Sequence, residues 1–162
     1  MPKRRHQTQK LSPLIRSAFE FLEHGLWHYF NSEDSTDMRF AILHVDQAIE
    51  LFLKEKVRKG RRSIYKNPKQ TIDIWEAYRI IEQDFHCTIP EKADLELLHE
   101  ERNSIQHKYL NPSVESTGFY MQETMKFLLR FVKDELELEL SDYILPEYIE
   151  QLTVKPINKK KK

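Results

Sequence analysis

Apolar residues recur along most of the chain at intervals of three and four positions, the spacing that puts them on one face of an α-helix. The clearest stripe lies within residues 38–59 and comprises Ala41, Ile42, Val45, Ala48, Ile49 and Phe52. Similar stripes predict four further helices: from Pro13, capped by Ser12, to about residue 30, over residues 71–85, from near Pro90 into the segment after residue 98, and from about Ser113 to residue 136.

Polar segments at residues 31–37 and 61–70 break this pattern and are predicted to be loops. The string ELELEL, residues 135–140, alternates with period two; we expect continued helix there, with a short strand as the alternative. A short last helix, split by Pro146, is expected beyond it. The sequence therefore predicts an all-α fold, a compact antiparallel bundle of five to six helices over residues 11–152. The basic leader, residues 1–10, is predicted to be flexible, and the basic tail, residues 153–162, to be disordered.

Charge is balanced over the whole chain but unevenly distributed. The 162 residues include 26 basic and 26 acidic side chains, so the net charge does not by itself call for nucleic acid. Basic residues concentrate at both ends and in residues 54–69, whereas acidic residues concentrate around residues 91–101 and 134–142. Such segregation can produce a local positive field on a neutral protein. For the two termini, solvated tails are the simpler interpretation.

The number of cysteines and the length of the apolar runs exclude some classes of protein. Cys87 is the only cysteine, which excludes a disulfide within one chain and fits a reducing, cytoplasmic location. Its neighbour His86 permits a nucleophile interpretation, but a small buried or loop thiol is favoured. No apolar run approaches the roughly 18 residues of a membrane span, so no membrane association is predicted.

The segment HEERNSIQHKYLNP, residues 99–112, gathers polar side chains where a plain amphipathic helix would carry apolar ones. Arg102 and His107 are five residues apart, which on a straight helix separates them by about 140° and about 7.5 Å. They meet only if the helix ends between them or if each contacts a third group across a groove. Because Pro112 follows closely, an early helix end is credible.

Arginine and histidine together suit the cleavage of RNA. A guanidinium fits phosphate oxygens, and an imidazole transfers protons near neutral pH. The imidazole would take the proton of a 2′-hydroxyl or protonate the leaving 5′-oxygen, so a metal-free site of this kind favours RNA over DNA. One histidine can hardly be both acid and base, but a two-fold dimer supplies two. Judged by spacing alone, a solvated helix end is the more ordinary interpretation.

The string RNSIQHKY resembles the signature of HEPN domains (higher eukaryotes and prokaryotes nucleotide-binding). That signature is an arginine, an adjacent polar residue and, after four to six residues, a histidine, here Arg102, Asn103 and His107; one branch adds a tyrosine, matched by Tyr109. The earlier stretch DQAIELFLK, residues 46–54, resembles the Gln-Ala-x-Glu-x-x-Leu-Lys pattern of another HEPN helix. The matching residues there are Gln47, Ala48, Glu50, Leu53 and Lys54. The resemblance covers roughly residues 12–140.

The resemblance implies a helical bundle, usually a homodimer, with both motifs facing a shared cleft. Many HEPN members are metal-independent RNA endonucleases that act as toxins or defence effectors. Others have lost catalysis and bind nucleotide, RNA or a partner protein, which is the alternative here. Arg102 would bind the phosphate and stabilise the transition state, His107 would be the acid or base, and Asn103 would orient the phosphate or the imidazole.

The same resemblance implies supporting roles. Glu50 is expected to be a structural partner, in one interpretation the partner of Arg102. An exposed position on the second helix is an equally good interpretation of Glu50. Gln106 is expected to support the site. Tyr109 matches the position to which a nucleotidyltransferase-type antitoxin attaches AMP. Weaker candidates for contact with the RNA backbone are Lys108, Arg61 and Arg62. No cofactor and no metal are predicted.

One further pattern concerns metal binding. Glu20, His24 and His28 recur every four residues and can line one helix face. They do not form the H-E-x-x-H motif, and no cysteine joins them. A partly exposed polar face is therefore the favoured interpretation.

Overall fold

Capping side chains in the sequence set where four of the helices begin in the computed structural model, which describes residues 10–154. At each of these starts the cap oxygen accepts a backbone N–H of the first turn, which satisfies a donor that the helix itself leaves free. The caps are Ser12 for α1 (Pro13–Phe30), Asp34 for α2 (Ser35–Lys59), Asp73 for α3 (Ile74–Arg79) and Ser113 for α5 (Val114–Leu136).

The remaining elements are one long helix and several short segments. They are β1 (Tyr65–Asn67), β2 (Gln70–Thr71), a π-helical turn (Ile80–Asp84), α4 (Lys92–Lys108), a 3-10 turn (Leu140–Asp142) and α6 (Pro146–Thr153). The two strands pair antiparallel as a small hairpin between α2 and α3. The prediction of an all-α bundle is confirmed, with six α-helices over the described residues.

Helix α2 lies at the centre of the bundle. It packs along α1 as a helical hairpin and also contacts α3, α4 and α5. Its core face meets aromatic side chains of its neighbours: the rings of Phe19 and Phe52 pack edge to face with centroids 5.1 Å apart. Because α2 contacts four other helices, different faces of α2 pack against different neighbours.

The predicted basic leader, residues 1–10, and the predicted basic tail, residues 153–162, lie outside the described residues, apart from Lys10, Thr153 and Val154. Of these, Thr153 is the last residue of α6. Within residues 10–154, no helix is both long and apolar enough to cross a bilayer.

The prediction of continued helix over residues 135–140 is wrong. Helix α5 ends at Leu136, and Glu137 adopts a left-handed backbone conformation with φ 56°. The N–H of Leu138 then bonds back to the carbonyl of Val132 at 3.1 Å, a helix-terminating pattern. Leu138 and Leu140 are buried between exposed glutamates, so the alternation reflects a chain that lies against the core without forming a strand.

Other predicted boundaries also differ from the structure. Helix α2 begins at Ser35, within the segment predicted as a loop at residues 31–37. The segment predicted as a loop at residues 61–70 contributes to the small hairpin. The third helix starts at Ile74 rather than at residue 71 and finishes as the π-helical turn. Pro146 occupies the first position of α6 instead of splitting it, which suits a residue that has no N–H to donate.

Gly25 allows α1 and α2 to approach closely. A Cβ atom at this position would lie 2.7 Å from Cγ2 of Val45 and 3.2 Å from the carbonyl oxygen of Ala41, both on α2. Neither neighbour is the free end of a flexible side chain. The absence of a side chain at position 25 is therefore a packing requirement of the helical hairpin.

We predict that Gly25→Ala lowers the free energy of unfolding by about 1–3 kcal/mol, because the added methyl group forces the two helices apart. Gly118→Ala is the matched control, since its Cβ would meet only the Tyr29 hydroxyl, at 3.0 Å. The control should keep its stability or gain up to about 1 kcal/mol from the higher helix propensity of alanine. Urea unfolding followed by circular dichroism measures both; equal stability of the two variants would contradict the prediction.

Candidate functional site

The polar segment of α4 is anchored by a buried carboxylate on α2. Asp46 is only 1% exposed and lies among the apolar neighbours Val45, Ala48 and Ile49. A carboxylate so far from water is stable only with cationic or hydrogen-bonding partners. Those partners come from α4, so Asp46 fixes which face of α4 turns toward α2.

Two side chains of α4 meet this carboxylate. Nδ1 of His99 lies 3.0 Å and 3.2 Å from the two carboxylate oxygens, and because an ionised carboxylate only accepts, Nδ1–H is the donor. Nε of Arg102 lies 3.7 Å from Oδ2 of Asp46, an ion pair. His99 and Arg102 are three residues apart and thus share a helix face. The rings of Trp75 and His99 pack edge to face, with centroids 5.5 Å apart.

Asn103 holds the guanidinium from its other side. Nη1 of Arg102 donates a hydrogen bond to Oδ1 of Asn103 at 2.9 Å. A guanidinium has five N–H groups, and Nη2 has no protein acceptor within residues 10–154. The Arg102 side chain is 24% exposed. Arg102 is therefore fixed by two protein groups and still offers N–H donors at the surface.

The pKa of His99 is raised above the ordinary histidine value of about 6.5. The hydrogen bond to Asp46 is the main cause, and the charge of Asp46 adds to it, whereas burial and the positive charge of Arg102 oppose it. The carboxylate thus favours the protonated imidazole. With His99 charged, two cations share one buried anion.

Glu50 does not pair with Arg102 in the described structure. Its Oε1 lies 2.6 Å from Nζ of Lys54, one turn further along α2. Lys54 is buried and also donates to Oγ1 of Thr71 at 3.0 Å. The ion-pair partner of Glu50 is thus Lys54, and the carboxylate next to Arg102 is that of Asp46.

His107 lies in the last turn of α4, exposed, and forms no hydrogen bond or ion pair with any residue from 10 to 154. Of the two alternatives for bringing Arg102 and His107 together, the early helix end does not occur, because α4 continues through Lys108. On this continuous helix the two side chains point about 140° apart. One chain alone does not bring them together, and Gln106, also exposed, does not connect them.

The remaining predicted residues lie at two separate surfaces. Tyr109 ends α4 in the left-handed conformation, with φ 54°, and is 83% exposed. Lys108 is exposed beside it. Arg61 and Arg62 lie in the connection that follows α2, where Nη1 of Arg62 is bound to Oδ2 of Asp84 at 2.6 Å. Arg61 is the freer of the two for an external anion.

Cys87 behaves as the favoured interpretation predicts. It is half-buried, and burial together with its contact to Glu135 raises the pKa of its thiol to about 11. At neutral pH such a thiol is protonated and a poor nucleophile.

Asp46 and His99 belong to the site although the local pattern around Arg102 does not predict them. Asp46 opens the stretch DQAIELFLK, and an acidic side chain within the apolar stripe of α2 is the signal that the sequence offers. His99 precedes Arg102 by three residues, the spacing of neighbours on one helix face. Neither signal identifies the partner without the tertiary contact between α2 and α4.

Comparison of the chain with protein-family models, curated proteins and solved structures finds no match in any of the three.

We predict that the stability which His99 contributes declines as pH rises. Because its pKa is raised in the folded state, the folded protein holds a proton that the unfolded chain releases, and this stabilisation is complete below about pH 6.5 and lost as pH rises through the folded-state pKa. Urea unfolding at pH 6 and pH 9 should show a larger difference in unfolding free energy between wild type and His99→Gln at pH 6. His86→Asn, which removes an exposed imidazole elsewhere, is the control. A difference that grows with pH would contradict the assignment.

Proposed function

We propose that the protein is a metal-independent RNA endonuclease, a toxin or defence-type effector, that works as a homodimer through Arg102, Asn103 and His107. The observation that carries the proposal is the Arg102 guanidinium, held by Asp46 and Asn103 with N–H donors left at the surface, on the same helix end as a free imidazole. The resemblance to HEPN domains points to the same residues. A cytoplasmic location belongs to this proposal.

Arg102 suits the role of a phosphate ligand because its position is fixed in advance. A guanidinium fixed by two protein contacts loses little further freedom when an anion arrives. A planar guanidinium also fits two phosphate oxygens at once, and it stabilises the charge that accumulates on them in the transition state. The partial neutralisation by Asp46 is offset when His99 is protonated, which leaves the trio with a net positive charge.

The geometry of α4 is the reason why the proposal includes a dimer. Arg102 and His107 of one chain diverge around the helix, so a second copy must bring its own pair to the same phosphate. The residues that follow α4 expose apolar side chains that suit such an interface: Leu110 is 48% and Val114, at the start of α5, 65% exposed. Buried in a symmetric contact, they would place the two α4 ends side by side.

The proposed reaction needs only protons to move. One neutral imidazole takes the proton of the 2′-hydroxyl as that oxygen attacks phosphorus, and the bond from phosphorus to the 5′-oxygen breaks. The second subunit's imidazolium gives its proton to the departing 5′-oxygen. The products are a 2′,3′-cyclic phosphate and a 5′-hydroxyl, and the two histidines end with their protonation states exchanged.

A second candidate, a non-catalytic module that binds nucleotide, RNA or a partner protein, is favoured by one observation. Asp46 already provides Arg102 with a carboxylate partner, as is common for an arginine with a structural role. In this case the exposed surface around Arg102 binds phosphate groups without cleaving them.

We predict that purified wild-type protein cleaves structured RNA in the presence of EDTA and leaves 2′,3′-cyclic phosphate ends. His107→Ala should reduce the cleavage rate at least about 100-fold, the usual contribution of an acid or base. Arg102→Ala should reduce it by about 100- to 1000-fold, as for other transition-state donors. His86→Asn should cleave at the wild-type rate. RNA binding without cleavage would support the second candidate, and cleavage that survives in both variants would contradict the first.

Mixing wild type with His107→Ala tests the shared cleft. If the imidazoles of both subunits act on one phosphate, a dimer of one wild-type chain and one His107→Ala chain keeps a single imidazole and should cleave RNA at least about 100-fold more slowly than wild type. Activity should therefore fall as the fraction of mixed dimers rises, as measured by native mass spectrometry. Mixed dimers that keep half of the wild-type activity would mean that each chain carries its own complete site.

We predict that Tyr109→Phe cleaves RNA normally but escapes silencing by a nucleotidyltransferase-type antitoxin. The 83% exposure of the Tyr109 side chain leaves its hydroxyl accessible to such an enzyme. Intact-mass measurement after co-expression with a candidate nucleotidyltransferase should show one added AMP on wild type and none on the variant. Continued silencing of Tyr109→Phe would remove this role.

A further inference from the structure

Three histidines converge on the outer face of the α1–α2 hairpin, away from the site on α4. His24 and His28 lie one turn apart on α1, and His44 faces them from α2. One ring nitrogen of each lies within 4.8 Å of one ring nitrogen of each of the others. The ring centroids are 4.6 Å apart for His24 and His44, and 4.7 Å apart for His24 and His28. Glu20, which sequence analysis grouped with His24 and His28, does not belong to this set.

A carboxylate orients one of the three rings. Nδ1 of His28 lies 2.9 Å from Oδ1 of Asp37, in the first turn of α2, so Nδ1–H donates and Nε2 keeps the lone pair. Asp37 is itself fixed, because its Oδ2 accepts the backbone N–H of Glu33 at 2.9 Å. These hydrogen bonds lower the pKa of Asp37, with the bond from Glu33 the larger cause. A carboxylate on the outer nitrogen of a histidine is the usual support of a metal-binding imidazole.

Burial lowers the pKa of His44, and the neighbouring His24 and His28 lower it further. This shift favours the neutral imidazole, which is the form that offers a lone pair to a metal ion.

We propose that His24, His28 and His44 bind a divalent transition-metal ion, with Zn²⁺ as the expected occupant. Imidazole nitrogen is a preferred ligand of zinc, and three protein ligands leave a fourth position for solvent or a small exogenous group. Tetrahedral bonds of 2.0–2.1 Å place ligand nitrogens about 3.4 Å apart. The rings must therefore close by about 1.4 Å at most, which small side-chain rotations provide.

Aromatic packing alone does not account for the arrangement. Phe40 does flank the group, with its ring centroid 5.2 Å from that of His28 and 6.1 Å from that of His44. A packing role is fulfilled by any aromatic ring, whereas this cluster brings three lone-pair nitrogens together and gives one of them an oriented carboxylate. The position across α1 and α2 means that a bound ion would connect the two helices of the hairpin.

The test uses the full chain without a polyhistidine tag, titrated with ZnCl₂ by isothermal calorimetry. We expect one Zn²⁺ per chain, and the imidazole signals of His24, His28 and His44 should shift in NMR spectra. Each of His24→Gln and His44→Gln should weaken binding at least about tenfold. Mg²⁺, which prefers oxygen ligands, should not bind. His24 is exposed, so its variant is expected to fold.

His86→Asn is the matched control, since it removes an imidazole that lies outside the cluster and next to the thiol of Cys87. It should bind zinc with unchanged affinity. Absence of binding to wild type, or zinc binding that persists in both His24→Gln and His44→Gln, would overturn the proposal. Loss of binding in His86→Asn would place the ion elsewhere and overturn it as well. RNA cleavage in EDTA by His24→Gln should match wild type, so the outcome is independent of the proposed nuclease activity.

Discussion

The carboxylate of Asp46 lies where water barely reaches it, and the candidate site depends on the partners that this burial demands. The Nδ1–H of His99 and the guanidinium of Arg102 both come from one face of α4. Removing either would leave a buried charge less compensated, and removing Asp46 would leave Arg102 held by Asn103 alone. The contact therefore links the register of α4 against α2 to the direction in which the guanidinium points.

The same contact makes the charge of the site depend on one proton. With His99 protonated, Asp46 is flanked by two cations and the trio carries a net positive charge; with His99 neutral, Asp46 cancels the charge of Arg102. Because the pKa of His99 is raised, the positive state persists to a higher pH than an isolated histidine would allow. A phosphate that approached Arg102 would then meet an attractive field, which reconciles a paired arginine with the proposed role in anion binding.

Local spacing predicted the long helices because their apolar stripes and caps are local properties of the chain. Local spacing does not predict features that depend on contacts between residues far apart in the sequence. The π-helical turn at residues 80–84 contains no proline or glycine to mark it; it ends beside Phe85, whose ring lies so close to Gly60 that a Cβ there would be 2.2 Å away. The end of α5 depends in the same way on the burial of Leu138 and Leu140 against the bundle, which outweighs the helix propensity of the segment.

The polar contacts between helices are not predicted by local spacing either. Arg102, Asn103 and His107 were found from a short local string, but Asp46 is 53 residues from His99 in sequence and is joined to it only by the contact between helices. His44 is likewise joined to His24 and His28 only through the hairpin. His44 and Asp46 both lie on α2, two positions apart, so their side chains project about 200° apart around its axis. The histidine cluster and the Asp46 contact therefore lie on opposite sides of one helix. An ion bound by the histidines would connect α1 to α2 without contacting Arg102.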